Sequence, residues 1–197
     1  MIGKRTHAST PKKGLNAHRI GMQYALALEE MLQEKYSETD AYFDPPENTF
    51  EPTRKERNVD AVNIVPGEDV AYFDCRVLPR YHIMKVFEDA QNLAKDFEIK
   101  SGAKIDVEIV HKTIAPEPTS ADAEIVTMLK RALWQVRGKQ PAVGGIGGGT
   151  CAAYFREANI PAVVWSTVEE TAHQPNENMT IENMVNDAKI FAYLAAN

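Results

Sequence analysis

Residues 70–97 read VAYFDCRVLPRYHIMKVFEDAQNLAKDF, and the change of period inside this stretch decides the fold of the first half of the chain. Val70 to Val77 alternates apolar and polar side chains, the period-2 mark of a half-buried strand, and Pro79 ends it. From Ile83 onward the spacing becomes three and four. Ile83, Val86, Phe87, Ala90, Leu93, Ala94 and Phe97 fall on one stripe of a helix. Gly102 marks its end, because glycine takes the left-handed C-terminal conformation without a side-chain clash.

Working outward, Ile105, Val107 and Ile109 alternate with Asp106, Glu108 and Val110, which predicts a further strand. Upstream, Asn63 to Glu68 is a turn by its Pro66-Gly67 pair. Thr53 to Val59 reads as an exposed, charged strand, and Tyr42 to Pro52, with Pro45, Pro46 and Pro52, as a loop. Leu15 to Tyr36 reads as a helix with Met22, Ala25, Leu26 and Leu32 on one stripe, and Met1 to Ala8 as a short strand. The order is β-α-β-β-α-β, which predicts an α+β sandwich on a four-stranded antiparallel sheet for residues 1–113.

Ala115-Pro116-Glu117-Pro118 breaks the pattern, and residues 114–197 follow another grammar. A helix carries Ile125, Leu129, Ala132, Leu133 and Val136. A glycine loop at 144–149 follows, then a short helix over 150–158. Pro161 to Trp165 is a continuous apolar run, as for a strand buried on both faces of an α/β sheet. The last helix starts at Thr180, its predicted N-cap, with Ile181, Met184, Val185, Ala188 and Phe191 on its core stripe. A doubly wound α/β layer needs more strands than this to cover its helices, so the segment reads as the tail of a larger domain.

The bulk numbers narrow the partners. The chain has 197 residues, 44% hydrophobic and 25% charged, as in an ordinary globular protein. No apolar run approaches the ~20 residues of a membrane-spanning helix, and no apolar stretch follows Met1 to Arg5, so neither a membrane nor a secretory signal is expected. The two cysteines, Cys75 and Cys151, are too few for a disulfide framework, which predicts reduced thiols and a cytoplasmic location. A net charge of −6 without a Lys/Arg stripe argues against nucleic acid and for a small-molecule partner.

Four features invite chemistry. The loop Gly144-Gly145-Ile146-Gly147-Gly148-Gly149-Thr150 fails the P-loop template, having no lysine before Thr150. It also fails the dinucleotide template, because the residue three after Gly147 is Thr150. Its backbone N–H groups can face an anion such as a substrate carboxylate, or the glycines can serve a tight, closely packed turn. His173 lies in a polar loop after a buried strand, where α/β folds place their sites; it is a metal ligand or a solvent-facing side chain. His7 has the same ambiguity. Arg76, inside an apolar strand, either binds something or faces water on the alternating side. No HExxH, Gly-x-Ser-x-Gly or paired-cysteine motif is present.

Together, GKRTHASTPKKGLNA (3–17), NIVPGEDVAYFDCRVLP (63–79), GGIGGGTCAA (144–153) and STVEETAHQPNENMTIEN (166–183) resemble one family. It is the succinyl-diaminopimelate desuccinylase, acetylornithine deacetylase and carboxypeptidase G group of dizinc metallopeptidases, and the likeness is nearest to its archaeal desuccinylase-like members. The resemblance implies an α/β catalytic domain with an inserted lid. Residues 1–113 correspond to the lid, or dimerisation, domain, and residues 114–197 to the closing part of the catalytic domain. It implies hydrolysis of the amide bond of an N-acyl amino acid or small peptide by a water held between two Zn²⁺, with Co or Mn as alternatives and a glutamate as general base.

By position, the resemblance makes His173 a metal ligand and His7 the lid histidine that stabilises the oxyanion in the partner subunit of a homodimer. Asn63 and Arg76 match lid positions that contact substrate, Arg76 through its carboxylate. Gly149 and Thr150 match positions that bind the substrate's other end. Two positions depart from the family: Cys151-Ala152 stands where many members have Asp-Ala or Ser-Asp, and Thr10 stands where some desuccinylases have a tyrosine. The family's His-x-Asp motif, bridging aspartate, Glu-Glu pair and next carboxylate ligand lie upstream of the lid and have no counterpart here. One histidine cannot hold two metals that each take about four ligands. The expectation is therefore a shortened polypeptide or half of a split enzyme, inactive and without zinc by itself. The rival expectation is a non-catalytic dimerisation or small-molecule-binding module derived from the same family.

Overall fold

The structure, a computed structural model, describes residues 1–169 and 171–196. The chain divides into two compact units, Met1–Thr113 and Ile114–Asn197.

The first unit begins with strand β1 (Thr6–His7), followed by a single 3₁₀ turn at Pro11–Lys13 and helix α1 (Ala17–Lys35). Strands β2 (Phe43–Asp44), β3 (Thr49–Lys55), β4 (Ile64–Val65) and β5 (Ala71–Arg76) come next, then helix α2 (Ile83–Ser101). Asn16 caps α1, its side-chain oxygen accepting the N–H of Arg19 at 3.0 Å. Gly102 ends α2 at φ 75°, as its place after the last apolar residue predicted.

The predicted four-stranded antiparallel sheet is not one ladder. β3 pairs with β5 from Thr49↔Arg76 to Lys55↔Ala71, with a shift of register between Pro52 and Arg54 where proline has no N–H to give. β1 pairs separately with β4, Thr6 opposite Val65 and His7 opposite Ile64. The strand expected at 105–110 shrinks to one bridge, Lys104 to Ile2, which also bridges Glu68. Its apolar face still packs: Ile105 is buried in the core and Val107 lies against it, while Ile109 is 42% exposed.

The core lies between α1, α2 and β3, and Leu32 and Phe50 are the most deeply buried large side chains in it. Each contributes about 1.5–3 kcal/mol by burial. The buried stripe of α1 is Ile20, Tyr24, Leu28 and Leu32. Met22 and Leu26, predicted on that stripe, are 45% and 68% exposed. Tyrosine decides the difference, because each buried ring finds a partner for its hydroxyl. Tyr24 donates to the Ala90 carbonyl at 2.8 Å and Tyr36 to Asp89 at 2.6 Å, tying α1 to α2.

The second unit holds α3 (Glu124–Arg137), a two-residue strand β6 (Gly145–Ile146), α4 (Ala152–Glu157) and α5 (Ile181–Ala196). α3 packs on α5 through Ala132, Leu133 and Ile190, with Trp165 against them. Asp187 fastens this arrangement, accepting Arg137 at 3.2 Å, the Thr167 N–H at 2.8 Å and the Thr167 hydroxyl at 2.7 Å. Thr180 caps α5 as predicted, accepting the Asn183 N–H at 3.1 Å.

Two expectations change here. Residues 161–165 form no ladder among the described residues, and Val164 is 54% exposed rather than covered on both faces. The predicted core stripe of α5 also points outward, Ile181 being 75% and Phe191 54% exposed. Asp187 turns α5 toward Arg137 and Thr167, and among the described residues of this unit no further layer covers the apolar surface that remains.

Candidate functional site

In the first unit the β1–β4 ladder brings together two side chains that stand 56 positions apart. His7 Nε2 lies 3.5 Å from Asn63 Nδ2, and both residues are exposed. The neighbouring backbone holds them in register, the Ala8 N–H donating to the Asn63 carbonyl at 2.8 Å. His7 is fixed from its other side as well: Ser9 Oγ lies 2.7 Å from Nδ1 and the Ser9 N–H donates to the same atom at 3.1 Å. A groove of about 440 Å³ adjoins the pair, lined by Ala8, Pro11, Gly14, Leu15, Asn16, Arg19, Ile20, Val62, Ile64 and Val65. Its apolar walls suit the carbon skeleton of a small molecule, and Arg19 lines it with a cation.

Arg76 occupies the end of the other ladder, on β5 opposite Thr49. Its guanidinium engages Asp74 two-pronged, Nε to Oδ1 and Nη2 to Oδ2 at 2.7 Å, and the hydrogen bond to Asp74 raises the arginine's pKa above its ordinary value. Alternation puts residues 74 and 76 on the same face, so the carboxylate orients the guanidinium and also competes for its donors.

In the second unit, Gly149 and Thr150 precede α4. A Cβ built on Gly148 or Gly149 meets nothing within 4 Å, and neither glycine has a positive φ. Close packing inside the chain therefore does not require glycine at either position. His173 sits in the loop before α5 at φ 60°, a left-handed conformation uncommon for histidine. Glu177 supports it, its carboxylate accepting the His173 N–H at 3.1 Å, while Thr171 and Asn178 close the loop base at 3.4 Å. Glu170, in the same motif, lies outside the described residues.

Ser9, Asp74 and Glu177 hold candidate residues in place and were not singled out from the sequence. Each stands two or four positions from the residue it holds, a spacing that suits a local turn or a strand face, and only the folded geometry separates it from its polar neighbours.

Among the described residues, no group of three or more His, Cys, Asp or Glu side chains comes together to hold a metal ion. His173 by itself does not fit a dizinc centre. Also among the described residues, no helix is long and apolar enough to cross a membrane.

Residues 17–197 match the family model Peptidase family M20/M25/M40. The chain belongs to this family. Members of the M20 family are metallohydrolases, among them peptidases and deacetylases. The chain is 40% identical over 197 residues to a protein of Methanocaldococcus jannaschii described as an uncharacterized metallohydrolase, covering 96% of this chain and 48% of that one. It is 26% identical to the succinyl-diaminopimelate desuccinylase of Nautilia profundicola, covering 96% and 49%. A tripeptidase structure from Staphylococcus aureus superposes with a TM-score of 0.70 at 22% identity, covering 98% of this chain and 48% of that one. This last likeness shows the α/β fold of M20 peptidases and no more. The chain spans about half the length of the M20 relatives it matches.

Proposed function

We propose that this chain is the lid and closing segment of an M20 amidohydrolase that cleaves the amide bond of an N-acyl amino acid or short peptide, succinyl-diaminopimelate being the model substrate. The meeting of His7 and Asn63 carries this reading. Two motifs far apart in sequence place two hydrogen-bonding side chains side by side, exposed, beside a groove of small-molecule size. Such donors suit the oxygen of a scissile amide as it gains negative charge. Arg76, oriented by Asp74, binds the substrate carboxylate. Gly149 and Thr150 hold the substrate's other end, which the open space beside Gly149 supports.

The metal is zinc, two ions per site in the complete enzyme, with Co or Mn as substitutes. His173 supplies one ligand, and the rest of the family domain supplies the others and the general base. The lid pairs with a second copy, so that His7 of each subunit serves its partner's site. The protein works in the cytoplasm, and the chain by itself is inactive.

The test combines this chain with the complementary half of the 40%-identical relative, with zinc, and assays N-succinyl and N-acetyl amino acids and short peptides. Activity is expected of the pair and not of either half. An assembled pair that binds zinc stoichiometrically yet turns over none of these substrates refutes the amidohydrolase reading and leaves a binding module.

A further inference from the structure

Ser9 folds back on His7, and the pattern of donors there determines where the imidazole proton sits. A backbone N–H can only donate, so the 3.1 Å bond from Ser9 N to Nδ1 requires a lone pair on Nδ1. The Ser9 hydroxyl, 2.7 Å from the same nitrogen, then donates as well. In a neutral imidazole with Nδ1 accepting, the proton is on Nε2. Nε2 faces the Asn63 amide, whose nitrogen is placed nearest to it at 3.5 Å. Two N–H donors do not bond each other. Nε2–H and the Asn63 NH₂ group therefore stand side by side as two donors, neither spent on the other.

We propose that Ser9 is a positioning residue that fixes His7 as the Nε2–H tautomer, so that a proton rather than a lone pair is presented to an incoming carbonyl oxygen, beside the NH₂ group of Asn63. The proposal rests on the oxyanion role given to His7 above. An imidazole free to exchange tautomers would spend part of its time presenting a lone pair to the same oxygen and repelling it. Preorganisation of the donor removes that loss before the substrate arrives. His18 provides the contrast within the same unit. Its Nδ1 lies 3.0 Å from Asp69 Oδ1, and because a carboxylate only accepts, His18 carries its proton on Nδ1.

The experiment is a long-range ¹H–¹⁵N correlation spectrum of this chain with ¹⁵N-labelled histidine, recorded where the imidazoles are neutral. His7 is expected to show an unprotonated Nδ1 and a protonated Nε2 without averaging, His18 the opposite pattern, and exposed His82 an average of the two tautomers. In Ser9→Ala the backbone N–H still donates to Nδ1 but the hydroxyl is lost, so the Nδ1–H fraction of His7 is expected to rise several-fold without reaching the His82 average. Ser9→Thr, which keeps the hydroxyl, should retain the wild-type pattern. The His18 signals report that each variant is folded. A wild-type His7 that is averaged like His82, or protonated at Nδ1, overturns the proposal without any variant. So does a folded Ser9→Ala with His7 unchanged, because the serine side chain would then do nothing to the tautomer. Substrate takes no part in these spectra, so a failure of the oxyanion role in turnover leaves their result standing.

Discussion

Gly21, on the inner face of α1, leaves the space that the Asp69 carboxylate fills; a Cβ at position 21 would overlap Asp69 Oδ2. Asp69 has 1% of its side chain exposed and accepts from Lys55 at 2.7 Å, Asn58 at 2.9 Å and His18 at 3.0 Å. Gly21→Ala removes a glycine that costs a helix about 1 kcal/mol, yet it forces this bound carboxylate to move. Overpacking of this kind costs about 1–3 kcal/mol, so a net loss of stability is expected. Urea denaturation measures it, and a gain in midpoint would show that Asp69 yields freely.

Stability should also fall with acid through the same residue. Burial by itself pushes the Asp69 carboxyl up, but hydrogen bonds from Lys55, Asn58 and His18, with the lysine charge, outweigh it and hold the pKa below its ordinary value. A folded pKa below the unfolded one gives stability that is complete above about pH 4 and is lost as pH falls through the folded value. Asp69→Asn is expected to lower stability at neutral pH and to flatten the acid limb of a stability–pH series. Asp89, held low against its burial by Lys35, Tyr36 and Lys85, retains part of that slope. An acid limb unchanged in Asp69→Asn would remove Asp69 from this role.

At the glycine loop, structure and function should come apart. Gly149→Ala meets open space at an ordinary φ, so its effect on unfolding is expected to stay within about 0.5 kcal/mol. If the loop backbone approaches substrate, the added methyl raises KM in the assembled enzyme. Calorimetry and steady-state kinetics on the same preparation read both quantities. A large loss of stability would mean that the glycine serves packing.

In the assembled enzyme, His7→Ala should lower kcat by about 10²–10³, some 3–4 kcal/mol of transition-state stabilisation, with metal content unchanged. Mixing His7→Ala subunits with subunits lacking His173 tests whether the histidine acts across a dimer. One hybrid site then combines an intact metal centre with an intact His7 from its neighbour, and part of the activity returns. Subunit exchange without recovery rules out the role in trans.

Much was legible before the fold was known, where the cause is local. The α2 stripe from Ile83 to Phe97, the end at Gly102 and the Thr180 cap depend on neighbours within a turn or two of helix, and period and capping chemistry predict them. The four motifs likewise carried the family, because the spacing of His7, Asn63, Arg76 and His173 survives without coordinates. Which face of a helix is buried was less legible. Tyr24 displaced Met22 and Leu26 from the α1 core because Ala90, 66 residues away, offers an acceptor for its hydroxyl.

By itself, then, the sequence determined the helices, the family and the residue types available for chemistry. Tertiary structure alone decided that His7 meets Asn63, that Asp74 orients Arg76 and that Ser9 grips His7 Nδ1. It also decided that Val164 and Phe191 are exposed rather than buried. The partner of His7 across the ladder and the cover for an apolar face come from segments remote in the chain, while Ser9 and Asp74 sit two residues from what they hold and only the folded geometry picks them out from their polar neighbours.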